Sequence, residues 1–138
     1  MRIAKGIKGL ISDGDKVLVL IEPSQAYDLP GGRVEEGESS LDCLRREIWE
    51  ETGLEKVEIT TSFVPWSFHK ESGLLVRGFT LVCRYRGGSI VLSPEHSSFI
   101  WVSLNQLRSI DIYWKYGLDK FRFDFIEKSL ERREAYAF

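Results

Sequence analysis

The chain has 138 residues, of which 43% are hydrophobic and 29% are charged, and its formal net charge is -2. This length predicts a single domain, residues 1–138, with enough apolar side chains to bury a core. The near balance of charge gives no reason to expect nucleic acid or a membrane surface as a partner, and no segment is apolar enough to span a membrane.

The N-terminal segment and the cysteines predict the cellular compartment. The first 22 residues contain no long apolar run and no cleavage site of small residues, so they do not resemble a signal peptide. Cys43 and Cys83 are the only cysteines, and they lack the spacing of a zinc site or a CxxC pair. We expect both to be reduced thiols in a cytoplasmic protein.

The first quarter of the chain reads as extended structure. Residues 3–11 and 16–22 are rich in strand-forming residues, and the Asp13-Gly14 pair between them is a hairpin signal. The segment SQAYDLPGG follows, and it predicts a short extended piece that ends at Pro30 and two glycines.

A helix is predicted next, because the apolar residues Leu41, Leu44 and Ile48 recur at helical spacing. Ser39 is a suitable N-cap, and Gly53 fits the left-handed position just beyond the helix end. Later segments predict strands at 56–64, 74–86, 89–92 and 98–102, a short helix begun by Ser103, and a C-terminal helix from Leu118 to about Ala135. This order favours an α+β fold in layers.

The predicted helix carries three glutamates, Glu47, Glu50 and Glu51, at spacings that place them on one face. Like charges at these spacings repel, so a helix that needed only solubility would alternate its signs. Divalent cations such as Mg²⁺ prefer carboxylate oxygens and would convert this repulsion into attraction. A solvated acidic face is the alternative interpretation.

A glycine-rich loop, LPGGRVEEGE, leads into the helix. Gly31 and Gly32 allow the backbone to approach a ligand closely, because neither has a Cβ atom. Glu38 comes just before the helix, and Arg46 is four residues from Glu50, so its planar guanidinium can hold carboxylates.

Residues 32–54 resemble the signature of the Nudix hydrolase family: Gly, five residues, Glu, seven residues, Arg-Glu, aliphatic, any, Glu-Glu, any, Gly, aliphatic. The matching residues are Gly32, Glu38, Arg46, Glu47, Ile48, Glu50, Glu51, Gly53 and Leu54. The resemblance implies a Nudix fold, an α/β/α sandwich in which a mixed β-sheet lies between the motif helix and a C-terminal helix.

The resemblance also implies hydrolysis of a nucleoside diphosphate linked to another group. It assigns Mg²⁺ or Mn²⁺ to Glu47, Glu50, Glu51 and the carbonyl of Gly31. Arg46 and Glu38 would orient this cluster, in which Glu47, Glu50 and Arg46 act in catalysis. Gly32 and Gly53 would be structural.

Residues outside the motif are assigned less directly. Many members of the family take their general base from a loop after the central strands, which points to Glu95, although a plain loop carboxylate is the alternative. Trp66 and Tyr27 are candidates to contact a nucleotide, with core or dimer packing as the alternative, since stacking needs only a flat apolar surface. Arg77 is a candidate phosphate ligand or a solvated strand residue.

The expected substrate is a small soluble nucleotide, first of all a nucleoside triphosphate, because a chain of this size favours it over capped RNA. The same chemistry on ADP-ribose or a nucleotide sugar is the first alternative. A non-catalytic nucleotide-sensing domain is the second. A homodimer is compatible with the aromatic, charged C-terminal segment, which is equally suited to closing a pocket.

Overall fold

The computed structural model describes residues 2–109. One mixed sheet and two helices make up this part of the chain. The strands are β1 (Ile3–Asp13), β2 (Lys16–Ile21), β3 (Tyr27–Asp28), β4 (Gly31–Arg33), β5 (Glu58–His69), β6 (Leu75–Arg84) and β7 (Ser98–Ser103), and the helices are α1 (Ser40–Thr52) and α2 (Leu104–Ser109). The α+β prediction is confirmed, whereas the predicted C-terminal helix lies outside the described residues.

The sheet follows the order β3-β2-β1-β6-β5, with β4 added to β1 and β7 added to β2. The β1–β6 pair is parallel, and the other pairs are antiparallel. Strands β1 and β2 form the predicted hairpin, and Gly14 takes a φ of 63° in its loop. Within residues 2–109, neither helix has the length and apolar character needed to cross a membrane.

The strands β1 and β2 separate beyond their hairpin, and the segment 27–33 fills the gap between them. Strand β2 pairs with β7 along the whole of one edge. Its other edge pairs first with β1, next to the hairpin, and then with β3. Strand β4 then pairs with β1 through Gly6–Lys8. The glycine-rich loop is therefore held inside the sheet, beside α1.

Apolar side chains are buried on both faces of the sheet. Helix α1 covers one face, where Leu44 and Ile48 pack against Ile7 and Ile11 of β1. On the other face, Leu107 of α2 packs in a second cluster with strand residues. Two buried faces explain why β2 reads as a continuous apolar run.

Helix α1 confirms the sequence prediction at both ends. The Ser39 hydroxyl accepts a hydrogen bond from the N–H of Asp42, and Gly53 adopts φ 73° at the C-terminus. The second helix is capped reciprocally, because Ser103 Oγ accepts from Gln106 N while Gln106 Oε1 accepts from Ser103 N.

The predicted strand at 89–92 is wrong, because these described residues form no strand. The backbone of this segment bonds to the end of α1 instead: Val91 N donates to Thr52 O and Ser93 N donates to Glu51 O. The last carbonyls of a helix accept no hydrogen bond from within the helix. The 91–93 segment supplies the missing donors for two of them.

Candidate active site

Glu47 and Glu51 lie one turn apart on α1 and both approach the glycine-rich loop. Gly31 N donates to Glu51 Oε1 at 2.8 Å. A Cβ atom on Gly32 would lie 2.6 Å from Glu47 Oε1, and one on Gly31, whose φ is 140°, would lie 2.1 Å from Ile7 O. A side chain at Gly32 would displace the Glu47 carboxylate, and a side chain at Gly31 would collide with the backbone of β1, which is the physical reason for both glycines.

Arg46 holds the acidic side chains at the solvent edge of the helix. Its guanidinium binds Glu38 through two hydrogen bonds, of 2.7 Å and 3.0 Å. The same group donates to Glu47 Oε1 at 3.1 Å and to both oxygens of Glu50 at 3.3 Å. The bond from Arg46 lowers the pKa of Glu38 to about 2.

The turn that contains Glu95 and His96 reaches the same place from another part of the chain. Its position is fixed by backbone bonds from His96 N to Ser93 O and from Ser97 N to Ile21 O. A carboxylate oxygen of Glu51, one of Glu95 and a ring nitrogen of His96 all lie within 4.8 Å of one another. Glu95 itself is exposed to solvent.

Glu51 is the buried member of this group, at 4% exposure. Burial raises its pKa to about 8, despite the opposing effect of the Gly31 N–H. Burial likewise raises the pKa of Glu47. Two carboxyl groups that resist ionisation in the same place favour a cation between them, since a bound cation restores the ionised form.

The donor set of this site fits a divalent metal ion. Hard cations take carboxylate oxygens, and His96 adds a nitrogen donor. His96 Nδ1 is buried and has no hydrogen-bond partner among the described residues. Within residues 2–109, two sets of three side chains bring possible metal-ligand atoms together, and neither includes Glu47 or Glu50. These two glutamates form ion pairs with Arg46 instead.

Lys8 is a buried cation that sequence analysis missed. Its Nζ donates to Asp28 Oδ1 and to Leu29 O, both at 3.1 Å, and lies 3.5 Å from Gly31 O. The Gly31 carbonyl that the resemblance assigned to a metal thus faces an ammonium group. The signal was present, because Lys8 is a lone charge within the apolar strand run GIKGLI.

His96 is a second residue of the site that the sequence motif does not mark, since a lone loop histidine is usually incidental. Only the fold reveals its environment, because Glu51 is far from it in sequence. Glu22 and Asp28 form a second donor group with His96, again within 4.8 Å. No sequence pattern joins these residues, and the separation of β1 from β2 brings them together.

The residues predicted to bind substrate are less central. Trp66 is 7% exposed, and its indole N–H donates to Thr80 Oγ1 at 3.1 Å. The structure shows the packing that was the alternative for Trp66, and its contact with a base stays a prediction. Tyr27 is half-buried against the core cluster beneath α2. Arg77 is exposed on β6, in register with Lys5, and its phosphate contact stays a prediction.

Comparisons with known proteins find relatives that match most of the chain. The RNA pyrophosphohydrolase of Bartonella henselae is 30% identical over a match covering 78% of this chain and 76% of that protein. The NAD-capped RNA hydrolase NudC of Pseudomonas putida is 32% identical, over 77% of this chain and 38% of that protein. The match thus spans little more than a third of NudC, and it spans 66% of several other Bartonella RNA pyrophosphohydrolases.

A solved structure extends the likeness to the fold. The MutT protein from Methanosarcina mazei Go1 superposes with a TM-score of 0.72 and 25% identity, covering 95% of this chain and 94% of that one. A family model described as NUDIX domain matches residues 3–127, which is most of the sequence. The chain therefore belongs to the Nudix hydrolase family.

Proposed function

We propose that this protein is a divalent-metal-dependent pyrophosphohydrolase that cleaves a nucleoside diphosphate linked to another group. The observation that carries the proposal is the convergence of buried Glu51 with Glu95 and His96, beside a loop that only glycine permits. A solvated acidic helix face has no reason to bury one of its carboxylates at 4% exposure.

The proposed metal ligands are Glu47, Glu50, Glu51 and the carbonyl of Gly31, with Mg²⁺ or Mn²⁺ as the ion. Once bound, the ion would neutralise charge on the phosphate oxygens and lower the pKa of a water molecule. Arg46 would hold Glu47 and Glu50 in place, because its guanidinium donates to both. Glu38 would fix Arg46 in turn through the two hydrogen bonds between them.

Glu95 is the proposed general base. It is exposed, so it can exchange protons with solvent, and it lies beside Glu51. In this role Glu95 takes a proton from the water that attacks phosphorus, while the second phosphate leaves in line. Trp66 has no part in the proposal.

A nucleoside triphosphate is the first proposed substrate. The names of the Bartonella and Pseudomonas relatives add the 5′ end of RNA as a second candidate, although the charge of the chain gave no reason to expect a nucleic acid. A 5′-triphosphorylated RNA presents the same triphosphate with a longer chain at its 3′ side. ADP-ribose, nucleotide sugars and a non-catalytic sensing role remain alternatives.

The decisive test is a product assay with purified protein and three substrates: a nucleoside triphosphate, a 5′-triphosphorylated RNA oligonucleotide and ADP-ribose. Each is incubated with Mg²⁺ or with EDTA, and products are separated by chromatography. Metal-dependent release of pyrophosphate from the first supports the proposal, and preference for the RNA selects the second candidate. Binding of nucleotides without turnover of any of the three would favour the sensing domain.

A further inference from the structure

We infer that His96 is a nitrogen ligand of the metal site, so that the site prefers a transition-metal ion such as Mn²⁺ over Mg²⁺. This inference rests on the proposed function, which names only oxygen ligands. Its basis is the group formed by Glu51, Glu95 and His96.

His96 is suited to this role because it is buried without being satisfied. The residue is 7% exposed, and its Nδ1 atom has no hydrogen-bond partner among the described residues. A buried polar atom without a partner destabilises the folded protein, so its retention calls for a partner. Nδ1 lies 3.6 Å from Glu51 Oε2, the nearest carboxylate oxygen to it among the described residues.

The distance between His96 Nδ1 and Glu51 Oε2 excludes a direct hydrogen bond between them. A hydrogen bond would bring Nδ1 and the carboxylate oxygen to about 2.7–3.2 Å. Two ligand atoms that are each about 2.1 Å from one ion lie about 3.0–3.4 Å apart at the angles of octahedral or tetrahedral coordination. The observed 3.6 Å is too long for a hydrogen bond and leaves room for an ion between the two atoms.

Two further carboxylates lie near the ring of His96. Such a histidine usually donates its other ring N–H to a carboxylate, which fixes the tautomer. Glu22 and Asp28 offer carboxylate oxygens within 4.8 Å of a ring nitrogen of His96. One carboxylate oxygen of Glu95 would be the third ligand of the ion. Its other oxygen would accept the proton of the attacking water.

A nitrogen ligand changes which ion the site selects. Mg²⁺ takes oxygen ligands and keeps its waters, whereas imidazole suits transition metals. In His96→Gln an amide oxygen replaces the ring nitrogen. We expect this variant to bind Mn²⁺ about tenfold more weakly, with a smaller change for Mg²⁺.

The test is pulsed electron paramagnetic resonance of Mn²⁺ bound to the full-length protein, in which a directly bound nitrogen gives a ¹⁴N coupling. We expect the coupling in the unmodified protein and its replacement by a ¹⁵N pattern when only histidine is ¹⁵N-labelled, a comparison that needs no substitution. His96→Gln should abolish the coupling. The matched control is His69→Gln, since His69 is the other histidine of the chain and is exposed.

The outcomes separate this inference from the proposed function. Bound Mn²⁺ and metal-dependent hydrolysis without a nitrogen coupling would overturn the role of His96 and leave the proposed function intact. Persistence of the coupling in His96→Gln would have the same meaning. Loss of the coupling in Glu22→Gln but not in Glu95→Gln would place the ion in the other donor group and also overturn the inference. Absence of both Mn²⁺ binding and hydrolysis would reject both proposals.

Discussion

Glu51 is subject to two opposing demands. It must be ionised to bind a cation, yet its surroundings raise its pKa to about 8 through burial. The Gly31 N–H donates a hydrogen bond to the Glu51 carboxylate, but one amide does not replace the water molecules that burial removes from it. The metal-free protein therefore holds a proton or an uncompensated charge at this position, and either state makes it a sensitive reporter of the site.

The first prediction follows from linkage between this proton and folding. The folded protein binds the Glu51 proton more tightly than the unfolded chain, in which the pKa of this carboxyl is near 4.5. Metal-free protein should therefore lose stability as the pH rises from about 4.5 to about 8. Glu51→Gln should flatten this dependence and raise the unfolding temperature at the alkaline end, because the amide is neutral and still accepts from Gly31 N–H.

Thermal unfolding in EDTA across this pH range measures the effect, with Glu71→Gln, in the exposed turn between β5 and β6, as the control. Saturating Mg²⁺ should raise the unfolding temperature of the wild type and of the control, but not that of Glu51→Gln. Identical pH profiles for wild type and Glu51→Gln in EDTA would show that this carboxyl is not perturbed.

The second prediction concerns Glu95. If this exposed carboxylate accepts the proton of the attacking water, Glu95→Gln should lower kcat by about 10²–10⁴-fold. KM should change much less, since a base acts in the transition state. Steady-state kinetics on the substrate found in the product assay measure both constants, and a change confined to KM would assign Glu95 to substrate positioning instead.

At the scale of elements, α1 is the part that the sequence specifies most completely. The Ser39 cap, the helical repeat and the left-handed Gly53 are local signals, so each can be predicted without knowledge of the remaining fold. The 89–92 segment is the opposite case. Its apolar residues are typical of a strand, but its backbone groups bond to α1, and sequence periodicity carries no information about such a distant partner.

The third prediction tests the N-terminal cap of α1. Ser39→Ala removes the acceptor for Asp42 N and should cost about 1 kcal/mol of unfolding free energy in urea titrations. Ser40→Ala, one residue further on, is the matched control and should be neutral or slightly stabilising, because alanine is the better helix former. Equal effects of the two substitutions would contradict the assigned cap.

The separation of β1 and β2 sets the limit of what sequence alone could predict about the site. The resemblance gives Glu47, Gly31 and Gly32, but the reasons for the two glycines, the Glu47 carboxylate beside Gly32 and the β1 backbone beside Gly31, appear only in three dimensions. Lys8 and His96 act through partners that the strand arrangement delivers. A pattern read along the chain marks Lys8 as a lone charge in an apolar run, but it identifies the partners of neither residue.

At the scale of the whole molecule, the sheet is buried on both faces and both cysteines lie in the core beneath α1. Burial raises the pKa of Cys43 and of Cys83 to about 12. The thiolate is the reactive form, so both thiols are protected as long as the molecule stays folded. The expectation from sequence that both cysteines are free agrees with the structure.

The fourth prediction is that a thiol reagent such as Ellman's reagent modifies neither cysteine of the native protein. Labelling should proceed at the rate of global unfolding, and it should accelerate with urea in parallel with the unfolding rate measured by circular dichroism. Rapid modification of either thiol under native conditions would show that the core under α1 opens locally.

The bonds from the 91–93 segment to the end of α1 have a consequence for engineering. Val91 and Ser93 donate to the carbonyls of Thr52 and Glu51, so the loop that leads to Glu95 is tied to the helix that carries Glu51. A designer who grafts residues 31–54 alone onto another scaffold would transfer the signature without its opposing half. A working graft must also carry residues 91–97, the edge of β2 to which Ser97 is bonded, and the part of β1 that pairs with the glycine-rich loop.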